Sequence, residues 1–222
     1  MNPFLNIRSY TEQSRAWPQT GRHILAQFDD HSIVVYQAYR PAIARFAVEQ
    51  QRFGGEFSFA RMSWVKPNFL WMMYRSGWAS KEGQERILAV TLKRAFFDEV
   101  LAAAVPSSFK AESCGPHEAW THALATSEVR LQWDPDHDPH GGKLERRAIQ
   151  LGLRGEMLRR YGGEELLSID DITPFVIQQR EVLKTDLEAL QTPAEQTYMP
   201  SREDAVLAAG LENPALNLPS KR

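Results

Sequence analysis

The stretch MSWVKPNFLWMMYRSGW, residues 62–78, decides how the chain is read. Trp64, Trp71 and Trp78 stand seven residues apart, with Phe69, Leu70, Met72, Met73 and Tyr74 among them. A short strand, MSW, runs into Pro67, which suits the first turn of a helix, and Gly77 suits its end. On a 3.6-residue period Phe69, Met72, Met73 and Ser76 share one face, while Leu70, Trp71 and Tyr74 take another. The helix is apolar nearly all round and is expected to be buried. Lys66 and Arg75 stand out against that background, because a buried cation needs a carboxylate, water or an anionic ligand. A helix N-terminus beside Lys66 would offer free N–H groups to an anion; a salt bridge to a surface carboxylate is the alternative.

Working outward, HILAQF from His23 and SIVVYQAY from Ser32 read as two strands joined by a turn at Asp29, Asp30 and His31. Pro41 opens a helix that Gly54 and Gly55 stop. RILAVTL from Arg86 is a strand and RAFFDEVLAAA from Arg94 a helix; a further short helix starts at Pro116. EVRLQW alternates Val129, Leu131 and Trp133 against Arg130 and Gln132, as a half-buried strand does. DPDHDPHGGK reads as a loop, RRAIQLGL as a strand, RGEMLRRY as a short helix and ELLSI as a strand. DDITPFVIQQREVLKTDLEAL reads as a helix capped by Asp170 or Asp171. Hairpin strands mixed with helices, without a βαβ rhythm, give an α+β fold with a mixed or antiparallel central sheet and flanking helices. Residues 23–190 are expected to form one domain, 1–22 an N-terminal arm, and 191–222 a loosely ordered C-terminal tail.

The 222 residues carry 26 Lys and Arg against 28 Asp and Glu, so no global field draws the chain to a polyanion. Cys114 is the only cysteine, which removes an intrachain disulfide and a thiolate metal site. No apolar run reaches the ~18 residues of a membrane span. These features predict a cytoplasmic protein without a membrane partner. Phosphate-loop, dinucleotide-fingerprint and nucleophile-elbow motifs are all missing from the sequence. In HEAWTH, His117 and His122 are five apart and point to different sides of a helix, which does not suit a metal. The Asp and His residues of DPDHDPH read as a solvated turn, and no metal is expected.

Two strands carry a glutamine on a small or polar face. Val35, Gln37 and Tyr39 align on one strand; Arg146, Ala148, Gln150 and Gly152 align on the other. A buried glutamine must be hydrogen-bonded, internally or to a ligand.

IVVYQAYRPAIA, RMSWVKPNFLWMMYRSGWA, GQERILAVTLKR, VRLQWDPD and RAIQLGLRGEMLRRY together resemble successive segments of a family known as domain of unknown function 4291, over roughly residues 20–185. At the level of arrangement the chain is also similar to the ADP-ribosyltransferase superfamily. VYQAY with its helix, MSW with its helix, and AIQLGL with the helix near Glu156 follow the order of that fold's signature strands. The likeness departs at Gln37, which stands where those enzymes carry histidine or arginine, and at Gln150, near the place of their glutamate.

The resemblance implies an ADP-ribosyltransferase-like fold and a NAD-dependent transfer to an unknown acceptor. NAD would be the substrate. Gln150 and Gln37 would be the catalytic positions, with Tyr39, Ser63, Trp64, Lys66, Tyr74 and Arg75 around the nucleotide. Nicotinamide would leave from an oxocarbenium-like centre, with positioning and electrostatics supplying most of the catalysis. The acceptor could be nucleic acid, protein or a small molecule. A different class of reading is a non-catalytic nucleotide or single-stranded nucleic-acid binding module, with Arg146, Arg147, Arg154, Arg159 and Arg160 on phosphates. A third is an interaction protein working through its tail.

Overall fold

The structure, a computed structural model, describes residues 5–211, apart from the side chains of residues 112 and 113. In chain order the elements are β1 (Ile7–Ser9), α1 (Tyr10–Ser14), β2 (Ile24–Ala26), β3 (Ser32–Tyr39), α2 (Pro41–Gln50), β4 (Ser63–Val65) and α3 (Phe69–Ser76). Next come β5 (Arg86–Lys93), α4 (Arg94–Ala102), β6 (Ala104–Pro106), α5 (Ala111–Cys114), α6 (His117–Thr126), β7 (Val129–His137) and β8 (Lys143–Leu153). The chain continues through α7 (Gly155–Tyr161), β9 (Leu166–Asp171), α8 (Thr173–Leu183), β10 (Gln191–Pro193), β11 (Gln196–Tyr198) and α9 (Glu203–Ala209). The fold is α+β.

Two sheets carry it. One is antiparallel, in the order β3-β5-β9; the other runs β4-β8-β7-β6, with β6 parallel to β7 and the remaining pairs antiparallel. β3 and β5 are mostly apolar because both of their faces are covered. Ile33, Val35, Leu88 and Val90 enter one hydrophobic cluster, with α4, α7 and the second sheet; Val34, Tyr36, Ile87 and Ala89 enter another, with α3 and Val176 of α8. The sheets meet where Tyr36 of β3 exchanges backbone hydrogen bonds with Lys66, one residue past β4.

Helix α3 is buried along most of its length, as its composition requires, with Phe69, Leu70, Trp71, Met72, Met73 and Ser76 all inside. It begins at Phe69, two residues later than the Pro67 reading. The Asn68 side chain accepts from the Trp71 N–H at 2.6 Å, and Gly77, left-handed at φ 59, closes the far end.

The arm and tail readings are corrected by the structure for the described residues. β1 pairs with β10 and β2 with β11, while Trp17 is buried and donates its indole N–H to the Glu195 carbonyl at 2.9 Å. Tyr198 is fully buried, its hydroxyl bonded to Asp98, and α9 packs against α4. Strands of three residues are too short to show a period, so only their partners reveal them. Residues 1–4 and 212–222 of those readings lie outside the described residues.

The Asp-rich loop is also corrected. β7 continues through Pro135 to His137 with a bulge, opposite β8, and the turn begins at Asp138. Pro135 is tolerated because β6 ends beside Leu131, leaving that edge of β7 open. Helix α8 ends at Leu183 rather than Leu190, and it starts at Thr173, whose N–H is taken by Asp171 Oδ1 at 2.9 Å.

Candidate functional site

A cleft of about 560 Å³ opens at the corner between the two sheets. β3 supplies Gln37 and Tyr39, β4 supplies Ser63 and Trp64, and Lys66 follows β4. Met72 and Arg75 come from α3, Gln132 from β7 and Gln150 from β8. Seven of the eight residues singled out in the sequence therefore border one cavity. Tyr74 does not: it faces a separate cavity with Trp78, His140 and Arg180, and its ring stacks on His137 at 3.5 Å. On α3 the step from Tyr74 to Arg75 turns by about 100°, enough to change cavities.

Gln37 is buried and its amide is fully engaged. Nε2 donates to Ser63 Oγ at 2.9 Å and to the Trp64 carbonyl at 3.1 Å, while Oε1 accepts from the Tyr161 hydroxyl at 2.6 Å. Tyr39 and Ser63 share a further hydroxyl bond of 2.9 Å. Burial holds the phenols of Tyr39 and Tyr161 well above their ordinary range, so both stay neutral. This network ties β3 to β4 and α7. It makes Gln37 a brace of the cleft wall with no amide atom left over for a ligand.

Gln150 is placed differently. Its Nε2 donates to Asp134 Oδ2 at 2.7 Å, and Gln132, directly opposite on β7, donates to Asp134 Oδ1 at 2.8 Å. The Gln150 carbonyl oxygen has no protein partner among the described residues. Asp134 was missed in the sequence because its Pro-flanked run imitates a turn, yet the Arg130–Gln132 alternation, extended by one step, reaches it. Gly152 lies on the same face, where a Cβ would come within 2.6 Å of Met62 Sδ and 3.0 Å of the Trp64 ring. The missing side chain is what lets Trp64 lie over the sheet.

Lys66 is 4 % exposed, and its ammonium has no hydrogen bond or ion pair among the described residues. Burial, with help from the Arg75 charge, pulls its pKa down to about 8, against a smaller opposing pull from Asp134. Arg75 is exposed at the mouth, and its guanidinium is likewise unpaired among the described residues. The N-terminus of α3, by contrast, is already satisfied. The buried Glu195 carboxyl accepts the Phe69 N–H at 2.6 Å and the Asn68 amide at 3.3 Å, so the helix end expected to take an anion is filled by a carboxyl of the chain itself.

Of the five arginines assigned to phosphates, four are engaged by other groups of the protein. Arg146 is buried against Asp136 at 2.7 Å, Arg160 binds Glu99 at 2.6 Å and Glu165 at 2.8 Å, and Arg159 lies 3.6 Å from Glu156. Arg154 holds the carbonyls of Ala125 and Ser127. Among the described residues no three His, Cys, Asp or Glu side chains gather as a metal set. No helix among them is long and apolar enough to cross a membrane.

The fold and cleft define an α+β protein with a polar, cation-bearing corner between two sheets. The chain belongs to the family described as Domain of unknown function (DUF4291), whose model matches residues 23–198. No curated protein matches it.

Proposed function

We propose that the corner cleft binds NAD as a substrate and transfers its ADP-ribose to an acceptor, on an ADP-ribosyltransferase-like fold. The observation that carries this reading is Lys66: a buried ammonium, unpaired among the described residues, beside a second such cation, Arg75, in a cavity whose size suits a small-molecule ligand. A pyrophosphate supplies the charge that the protein withholds. Trp64 offers a ring face to nicotinamide, and the unpartnered Gln150 oxygen accepts from a ribose hydroxyl.

In the transfer, the bond from ribose C1′ to the nicotinamide nitrogen breaks and its electron pair leaves with nicotinamide. C1′ bonds to the acceptor atom, and the acceptor's proton passes to a carboxylate. Gln150 cannot take that proton, being an amide, but Asp134, which holds it, can. Asp134 thus brings a carboxylate beside Gln150, near the place where the superfamily carries its glutamate.

Binding without chemistry is a second reading, favoured by the complete use of Gln37 inside the protein. A thermal-shift titration with NAD and with ADP-ribose tests both. A ligand that binds the native state alone stabilises it by about 2.7 kcal/mol at a hundredfold excess over Kd. A saturating shift with NAD is expected, and absence of a shift with either ligand ends the nucleotide reading. A shift with no nicotinamide release in the presence of cell extract as acceptor source supports binding alone.

A further inference from the structure

We infer that the acceptor is a single-stranded nucleic acid, carried on a track that leaves the corner cleft at Gln132, crosses β7 and lays its phosphates against Arg22 and Lys110. Gln132 borders both the corner cleft and a second cavity of about 280 Å³, lined by Arg22, Pro106, Lys110 and Trp133 and closed on its far side by α9. The two cavities are therefore neighbours on one strand. The word acceptor rests on the transferase reading; the track itself does not.

Charge separates this pair of cavities from two others on the surface. Arg22, Lys66, Arg75 and Lys110 line it, and none of the four has an ion pair among the described residues; the carboxylate beside it, Asp134, accepts from Gln132 and Gln150. The cavity at Arg45 and Arg86 also holds Glu49 and Asp171, and the one at Arg160 and Arg202 holds Asp98, Glu99 and Glu165. On a chain with formal net charge −2, four cations without ion pairs gathered along two adjoining cavities point to a polyanion. Exposed Arg147, bridged through its backbone to Arg22, adds a further charge alongside. Gly210, left-handed at φ 63, keeps the space open for this arrangement: a Cβ there would stand 2.7 Å from Arg22 Nη1.

A nucleic acid fits better than an acidic peptide because each cavity presents a half-buried indole, Trp64 in one and Trp133 in the other. Bases stack on such rings whatever their sequence, whereas an acidic peptide brings charge with nothing to stack. A duplex would not reach rings set inside cavities. The strand would have to be single.

The test is fluorescence anisotropy of the full chain with a labelled single-stranded oligonucleotide of ~15 nucleotides, as RNA and as DNA, with polyglutamate as competitor. Affinity should fall as salt rises from ~50 to ~200 mM, and Arg22→Ala with Lys110→Ala should flatten the log–log slope by about 1.4, the loss of two phosphate contacts at ~0.7 each. Lys110→Glu alone, at an exposed position, guards against misfolding of the double variant and should also weaken binding. Failure of both RNA and DNA to bind, an unchanged slope in the variants, or polyglutamate competing as well as the oligonucleotide would each overturn the track. The NAD thermal shift is recorded in parallel. Oligonucleotide binding through Arg22 and Lys110 without a NAD shift removes the transferase and leaves the track standing; a NAD shift without oligonucleotide binding removes the track alone.

Discussion

Lys66 couples ligand binding and stability to pH with opposite signs. Its pKa in the folded chain is about 8, below the ordinary lysine value, so the unfolded chain binds the extra proton between about 8 and the ordinary range. The penalty for burying the charge is fully present below pH 8, and its relief raises stability as pH climbs through that window. Affinity for an anion should move the other way, falling above pH 8 as the ammonium is lost. Lys66→Met is expected to abolish the NAD shift and remove the alkaline gain in stability, while Lys66→Arg should keep binding and make it flat across pH 7–10; melting curves with and without NAD read both. The two glutamines separate as sharply. Gln37→Ala should destabilise by about 1–3 kcal/mol, because Tyr161 and Ser63 lose their buried partner. Gln150→Ala should melt near the wild-type temperature and lose transfer, measured as nicotinamide release. The sequence placed both amides on the right faces, since a period of two shows which side a residue takes. It could not show that one was saturated and the other open, because that depends on Tyr161 and Asp134 on other elements.

At the scale of elements, the cleft depends on how closely β4 and β8 approach beneath the Trp64 ring. Gly152→Ala puts a methyl into Met62 Sδ and the indole edge. Met62 can swing aside, so the far-UV spectrum should be retained, but Trp64 must tilt, and NAD affinity should fall at least tenfold in the same titration. The long elements were legible: β3, β5 and β8 show as apolar runs or alternations, and α3 as a helix with no polar face. What escaped were features whose signals imitate something else. The end of β7 looks like a turn because of Pro135 and its aspartates. Helix α3 starts after Asn68 rather than at Pro67, because the Asn side chain reaching the Trp71 N–H sets the helix end.

For the whole molecule, the segment after residue 190 is part of the architecture. Deleting residues from 191 onward removes β10, β11, Glu195, Tyr198 and α9 together, and it uncovers the N-terminus of α3 and the buried face of α4. The truncated chain is expected to lose cooperative melting altogether, whereas a tail that merely recruits a partner would leave the melting temperature unchanged. A narrower version is Glu195→Ala, which strands the Phe69 N–H and the Asn68 amide and should cost about 1–3 kcal/mol. Burial drives the Glu195 carboxyl well above the usual carboxylate range, so it favours folding while protonated, and that contribution declines as pH rises above ordinary glutamate values. The variant should therefore show a weaker loss of stability with rising pH than the native chain.

The bond from Phe69 to Glu195 spans 126 residues, and it sets a delay during synthesis. At ~5–20 residues per second, α3 waits about 6–25 s after its own emergence before Glu195 leaves the ribosome. Throughout that interval a nearly all-apolar helix has an unfinished end and β2 lacks its neighbour, so the nascent protein has a long window in which a chaperone, or another nascent copy, can reach the cleft-forming segment before the closing strands do.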